Sequence, residues 1–236
     1  MKKKRWWILP AAVLLLIVAA FLIYAGNYYR ATDAALQALE SDDVLIEQTE
    51  YGWFFDGPAA DRALVFYPGA NVEDTAYAPL LHRLAGSGVD VCLVKMPLHM
   101  AVFGANSADR ILAQYDYAHW YIGGHSLGGA VAANYAAVHD LDGVILFASY
   151  PTKDVDESML ILYGSEDGVL NRTRLARADQ FGAVDEVVID GGNHAGFGEY
   201  GAQAGDHAAE ISSAEQQQTA ADAIAAWLST DAPQAG

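Results

Sequence analysis

The 236-residue chain has a single cysteine, Cys92. No intrachain disulfide can form, so the fold must stand without crosslinks. Positive charge is scarce and unevenly placed. Of 13 Lys and Arg, four are Lys2, Lys3, Lys4 and Arg5, whereas all 30 Asp and Glu lie beyond residue 30. The remainder sets nine cations against 30 anions, a net of −21. Such a body repels phosphate backbones and lacks the cations whose pairing releases counterions, which excludes a nucleic-acid partner. It also disfavours docking on anionic lipid through the globular surface. Internal repeats and low-complexity blocks are absent. Hydrophobic residues make up 53% and aromatics 11%, which rules out collagen-like, disordered and disulfide-scaffold classes. At about 100–200 residues per domain, the length predicts one domain and a little more.

One long hydrophobic run is present. Residues 6–25 read WWILPAAVLLLIVAAFLIYA, with no charge. As a helix the run is about 30 Å long, the thickness of a bilayer's hydrocarbon core. Pro10 falls in the first turn, where a missing N–H costs little. Trp6 and Trp7 at one end, and Tyr24, Tyr28 and Tyr29 at the other, match interfacial aromatic belts. A cleaved signal peptide is the competing reading, but its apolar region spans only about 7–15 residues. Ile23-Tyr24-Ala25 is only a fair cleavage site. Residues 1–26 are therefore expected to be a basic flank and transmembrane anchor. The basic flank predicts a single pass of the cell membrane, N-terminus cytoplasmic and body extracytoplasmic.

Residues 27–43 are expected to form a linker helix, 44–230 the globular domain and 231–236 a disordered tail. Within the domain, apolar runs alternate with helical periodicity. Strands are expected at 44–49, 51–55, 63–67, 89–94, 119–123, 144–148, 159–163 and 184–190. Helices are expected at 74–84, 107–115, 127–138, 172–181 and 214–228, with a long loop over 195–209. Continuous apolar strands alternating with helices predict an α/β fold, a mostly parallel sheet covered on both faces.

The HWYIG strand runs into Gly124-His125-Ser126-Leu127-Gly128-Gly129, a G-x-S-x-G pattern. A strand that turns sharply into a helix leaves no room for side chains two residues either side of the serine, so glycine stands there. The helix N-terminus then favours negative charge at the reacting oxygen. A serine nucleophile needs a base, and the base an orienting carboxylate. Gly164-Ser165-Glu166-Asp167-Gly168 and Gly191-Gly192-Asn193-His194 both follow predicted strands, where α/β sheets place their ligand sites. Ser126, Asp167 and His194 form the candidate triad. Glu166 is the alternative acid and His207 the alternative base. His125 reads as a packing residue, and His82, His99, His119 and His139 as ordinary helix, loop or strand histidines. None pairs with a carboxylate at metal-ligand spacing, so neither metal nor cofactor is expected. The oxyanion formed on attack needs two N–H donors. Leu127, after the nucleophile, is one candidate, and Ala70, in the Pro68-Gly69-Ala70-Asn71 turn, the other.

The segments FYPGA (66–70), VKMPL (94–98), GGHSLGG (123–129), YGSEDG (163–168) and GGNHAGFG (191–198) resemble the α/β-hydrolases, specifically α/β-hydrolase family 5, near the dienelactone-hydrolase-like group. The resemblance spans residues 44–230. It implies Ser126 as nucleophile, Asp167 as acid, His194 as base, and Ala70 and Leu127 as oxyanion donors. Dienelactone hydrolases carry a cysteine nucleophile, but Cys92 lies inside a strand away from the elbow, so serine-esterase chemistry is implied instead. Lids in this superfamily usually enter after the strand that follows the elbow helix. Here that connection, 149–158, is too short for a lid domain. Lys95-Met96-Pro97 and Phe197 are candidate wall residues. The expected substrate is a small or medium carboxylic ester, and interfacial lipase activity is disfavoured. A thioesterase or peptidase could use the same triad. The reading from a different class is a non-catalytic binding or envelope protein on a hydrolase scaffold.

Overall fold

A computed structural model describes residues 7–41, 43–58 and 61–230. The basic flank and the expected disordered tail lie outside these residues. The hydrophobic run folds as one helix, α1 (Ile8–Gly26), long and apolar enough to cross a membrane. Of its residues only Ala25 is buried, while Leu9, Leu15, Leu16 and Ile23 lie open.

Residues 27–43 are not one helix, and they are not a free linker. Thr32 caps the short helix α2 (Asp33–Gln37) by accepting the Ala35 N–H, and a 3-10 turn, Ala38–Glu40, follows. The residues before the cap are non-helical. The Tyr29 N–H donates to the Asn71 carbonyl at 2.7 Å, and the Glu73 N–H donates to the Tyr29 carbonyl at 2.9 Å. The Tyr29 ring packs on Tyr200. These tertiary bonds override local helix propensity, which is only a weak preference.

The remaining elements are β1 (Leu45–Gln48), β2 (Gly52–Asp56), β3 (Arg62–Tyr67), α3 (Ala78–Gly86), β4 (Asp90–Val94), α4 (Ala108–Gln114), β5 (His119–His125), α5 (Leu127–Ala136), β6 (Gly143–Phe147), β7 (Met159–Gly164), α6 (Arg172–Leu175), β8 (Val184–Ile189) and α7 (Ser213–Thr230). The helix expected over 172–181 is two short pieces, α6 and a 3-10 turn, Ala178–Phe181. The break falls at Arg177, whose φ is −122°.

The eight strands form one sheet in the order β1-β2-β4-β3-β5-β6-β7-β8. The β1–β2 and β2–β4 pairs are antiparallel, and the other five pairs are parallel. Central strands are buried on both faces, hence their unbroken apolar sequence. Along β3 the side chains alternate. Leu64 and Phe66 join Leu80, Leu81 and Leu84 of α3 and Ile224 of α7 on one face. Val65 and Tyr67 join Ile111 of α4 and Val131 of α5 on the other. Edge strand β8 carries exposed Asp185 and Glu186, charges that blunt edge-to-edge pairing. Asp185 also accepts the indole N–H of Trp227, tying α7 to that edge. The parallel strands bring the C-terminal ends of β3, β5, β7 and β8 to one side, where the candidate residues lie.

Candidate active site

Ser126 is the one residue between β5 and α5, with φ 54° and ψ −122°. A non-glycine residue held there stores about 1–3 kcal/mol of strain. The flanking glycines make the turn feasible. A Cβ on Gly124 would stand 2.4 Å from the Tyr67 carbonyl oxygen, and one on Gly128 2.2 Å from the same atom. Two further bonds hold the elbow. The Ser126 N–H donates to the Phe147 carbonyl, and the Ser149 hydroxyl donates to the Ser126 carbonyl.

Asp167 follows β7 and His194 follows β8. Asp167 Oδ2 and His194 Nδ1 are 2.9 Å apart, and both side chains are almost wholly buried. The other carboxylate oxygen, Oδ1, accepts the N–H groups of Val169 and Leu170. Burial pushes the Asp167 carboxyl up, but the hydrogen bond and charge of His194, with the two N–H donors, outweigh it and hold it below its ordinary value. Asp167 is therefore an anion that keeps the Nδ1 proton in place and leaves Nε2 as the accepting nitrogen of the ring. His194 Nε2 is buried with no hydrogen-bond partner, so the Ser126 hydroxyl does not bond it in this structure. The two residues line the same cavity of ≈ 440 Å³. Of the alternatives, Glu166 accepts from the Ser165 hydroxyl and from no other group among the described residues. His207 contributes its backbone carbonyl, to the Asn193 side chain.

Ser126 also borders a second cavity, of ≈ 470 Å³, with Ala70, Asn71 and Tyr24. Leu127 lines the first cavity. The N–H groups of Ala70 and Leu127 donate to no backbone carbonyl among the described residues. Ala70 thus lines one of the cavities beside Ser126 and Leu127 the other.

Sequence reasoning missed the groups that hold these loops. His125, read as a packing residue, is buried but also bonded at both nitrogens. Nε2 lies 3.0 Å from the His194 carbonyl oxygen and Nδ1 2.8 Å from the Tyr77 hydroxyl, which in turn accepts the Gly69 N–H at 3.1 Å. Burial, with the nearby His194, pulls the His125 imidazole well below its ordinary value, so it is neutral. A carbonyl can only accept, so Nε2 carries the proton, and Nδ1 accepts from Tyr77. The chain of donors thus runs from the Ala70 loop through Tyr77 and His125 to the backbone of His194. Asp206 joins the acid and base loops. Its Oδ1 accepts the Gly168 N–H and its Oδ2 the Ala195 N–H. Gln216, fully buried in α7, bonds both the N–H and the carbonyl of Asn193. A polar residue on an amphipathic helix gave no sign of this burial.

Of the expected wall residues, Met96 is buried and Pro97 exposed. Phe197 is fully buried against Phe147 and belongs to the core, and Lys95 is exposed. Cys92 is buried in β4, where burial pushes its thiol up to about 12. An inert thiol results. Among the described residues, no group of three or more His, Cys, Asp or Glu is arranged to hold a metal ion.

Residues 63–218 match the model of the Alpha/beta hydrolase family, and the chain belongs to that family. No curated protein sequence matches the chain. Among solved structures, it is similar to a dienelactone hydrolase from Anabaena variabilis (13% identity, TM-score 0.60, covering 80% of this chain and 98% of that one). It is also similar to the esterase domain of a Rhodothermus marinus protein (14%, 0.55, 78% and 96%). A third is an esterase from the planctomycete Thermogutta terrifontis (15%, 0.52, 83% and 96%). At these identities the likeness is one of fold. With the family match, it makes this chain a hydrolase of esterase-like α/β architecture.

Proposed function

We propose that the protein is a membrane-anchored serine hydrolase that cleaves small or medium carboxylic esters through an acyl-enzyme. The observation that carries this reading is the buried Asp167–His194 pair, whose Nε2 has no protein partner in a cavity shared with Ser126. In the first half-reaction His194 Nε2 takes the Ser126 proton as Oγ attacks the ester carbonyl. The Ala70 and Leu127 N–H groups bind the oxyanion, at the N-terminus of α5. The imidazolium, stabilised by ionised Asp167, then protonates the departing alcohol. Water, deprotonated by the same nitrogen, releases the acid. Catalytic hydrogen bonds of this kind are often long in the absence of substrate, so the unmade Ser126–Nε2 bond is compatible with this role. Helix α1, with the cationic flank at residues 2–5, serves as a retained anchor that leaves the domain outside the cytoplasmic membrane.

Labelling isolated membranes with a fluorophosphonate probe tests both parts. The expected result is a labelled band in the membrane fraction at the full-length mass of 25.3 kDa, lost in Ser126→Ala. A folded, exported protein that takes no label contradicts the catalytic reading. A labelled, shortened protein in the soluble fraction contradicts the anchor.

A further inference from the structure

The end of the hydrophobic helix is built into the wall of the second cavity beside Ser126. Asn71, next to the oxyanion candidate Ala70, makes three bonds there. Its side-chain Nδ2 donates to the Tyr24 carbonyl of α1 at 3.2 Å, its N–H donates to the His99 carbonyl, and its carbonyl accepts the Tyr29 N–H. The Tyr28 ring stacks on His99 at 3.8 Å. One turn back, the Phe21 ring meets Phe103 edge-on, centroids 5.8 Å apart. Tyr24, in the last turn of the helix, and Ser126 therefore border one cavity, which sets the serine at the level where the apolar helix ends.

The two cavities beside Ser126 differ in character. The one on the helix side is walled by Tyr24, Asn27, Tyr28 and Gln203 and is suited to a polar alcohol portion. The other has an apolar side, Val102, Leu127, Val131, Val169 and Leu170, suited to an acyl chain, with polar groups such as Asn134, Thr152, Asn171 and Arg174 also in its lining. Each is near the lower end of the roughly 300–1,000 Å³ typical of small-ligand sites, room for one chain of medium length. Val102 and Phe103 are half-exposed. Together they form an apolar path from Phe21 of the spanning helix to the acyl-side cavity.

We infer that the site takes its substrate from the bilayer: a single-chain amphiphilic ester whose medium-length acyl chain enters over Phe103 and Val102. The docking of α1 holds the cavity mouth against the lipid surface, so the apolar rim faces acyl chains rather than water. The inference rests on the membrane-anchored esterase reading above and names its substrate class. Anionic lipid attraction is not needed, since the spanning helix itself supplies the placement.

The test uses the full chain in phosphatidylcholine proteoliposomes, with p-nitrophenyl acetate as the water-soluble probe and p-nitrophenyl decanoate as the membrane-partitioned one. Burying one methylene is worth about a factor of four, so a decanoate preference of about tenfold in kcat/KM is a low threshold for a chain with eight more methylenes. The decanoate rate is expected to follow the ester's mole fraction in the bilayer rather than its bulk concentration. Phe103→Ser, at a half-exposed position that folding tolerates, is expected to lower the decanoate-to-acetate ratio by about threefold or more. A smaller change, a wild-type preference below the threshold, or a rate set by bulk concentration overturns the inference. If acetate is hydrolysed and Ser126 takes the fluorophosphonate label, such a failure leaves the esterase reading standing. If neither occurs, both readings fall together.

Discussion

Tyr77→Phe removes one oxygen from a fully buried position, and the consequences can be worked through atom by atom. The hydroxyl accepts the Gly69 N–H and donates to His125 Nδ1. Without it, a buried amide hydrogen and a buried imidazole nitrogen lose their partners, and no room opens for water because the ring remains. Leaving a buried polar group unsatisfied costs about 1–3 kcal/mol. Two such groups, less the relief of no longer burying the hydroxyl, give about 2–4 kcal/mol. For a chain of this size, that lowers Tm by roughly 4–16 °C.

The same change reaches the reaction through position rather than contact. Gly69 precedes Ala70, and His125 holds the backbone of His194, so both loops lose an anchor. A misplacement of about 1 Å in a reacting geometry can cost about 100-fold, and donors that shift less cost proportionately less. The expected result is a kcat reduced about 10–100-fold with KM changed much less, since ground-state binding does not use the oxyanion donors. Thermal unfolding and steady-state kinetics on p-nitrophenyl acetate measure both effects in the same preparation. A variant with Tm within about 2 °C of the parent and kcat within about twofold would refute the donor chain from Gly69 to His194.

Asp167→Asn keeps the shape of the acid but removes its charge and favours the wrong imidazole tautomer. kcat should fall about 10³–10⁴-fold with KM little changed, and a loss below about tenfold would move the acid role elsewhere. Stability should also depend on acid. His125 is depressed in the fold, so the unfolded chain binds a proton first as pH falls through about 6.5, and stability present above that value declines by up to about 1.4 kcal/mol per pH unit. Asp167 is likewise depressed; its contribution holds above about pH 4, the unfolded range, and is lost as pH falls further. Urea unfolding at pH 7, 6 and 5 separates the first window from the second, and a flat profile across it would contradict a neutral, buried His125.

The strands of the sheet's centre were legible because a strand buried on both faces must be apolar throughout, and ALVFY, HWYIG and MLILY have no other comfortable environment. The polar residues after β5, β7 and β8 were legible for a related reason, since charged and imidazole groups directly beyond buried strands have little structural purpose there. The structure brings Asp167 and His194 into contact across 27 residues of sequence. Features built from two weak, distant signals were not legible. Residues 27–31 contain nothing that opposes a helix locally, and their bonds to Asn71 and Glu73 depend on where another loop happens to lie. Tyr77 sits at helical spacing with Leu80, Leu81 and Leu84 and looks like one more core residue. Only its hydroxyl, 48 positions from His125, distinguishes it. Gln216 and Gln217 lie in a helix expected only as amphipathic, yet both are fully buried and bond the backbone of Asn193 and Gly196.

His194 Nε2 bears on why such a site persists. Buried nitrogens in folded proteins are nearly always bonded, and one left without a partner destabilises the fold. Around this one the supply of polar groups is ample. Asp167, His125, Asp206 and Gln216 each bond groups of the two loops around it. The strain at Ser126, which lines the same cavity, follows the same pattern of locally unfavourable energy held by well-bonded surroundings. Both costs fall on the two residues between which the proposed reaction passes a proton.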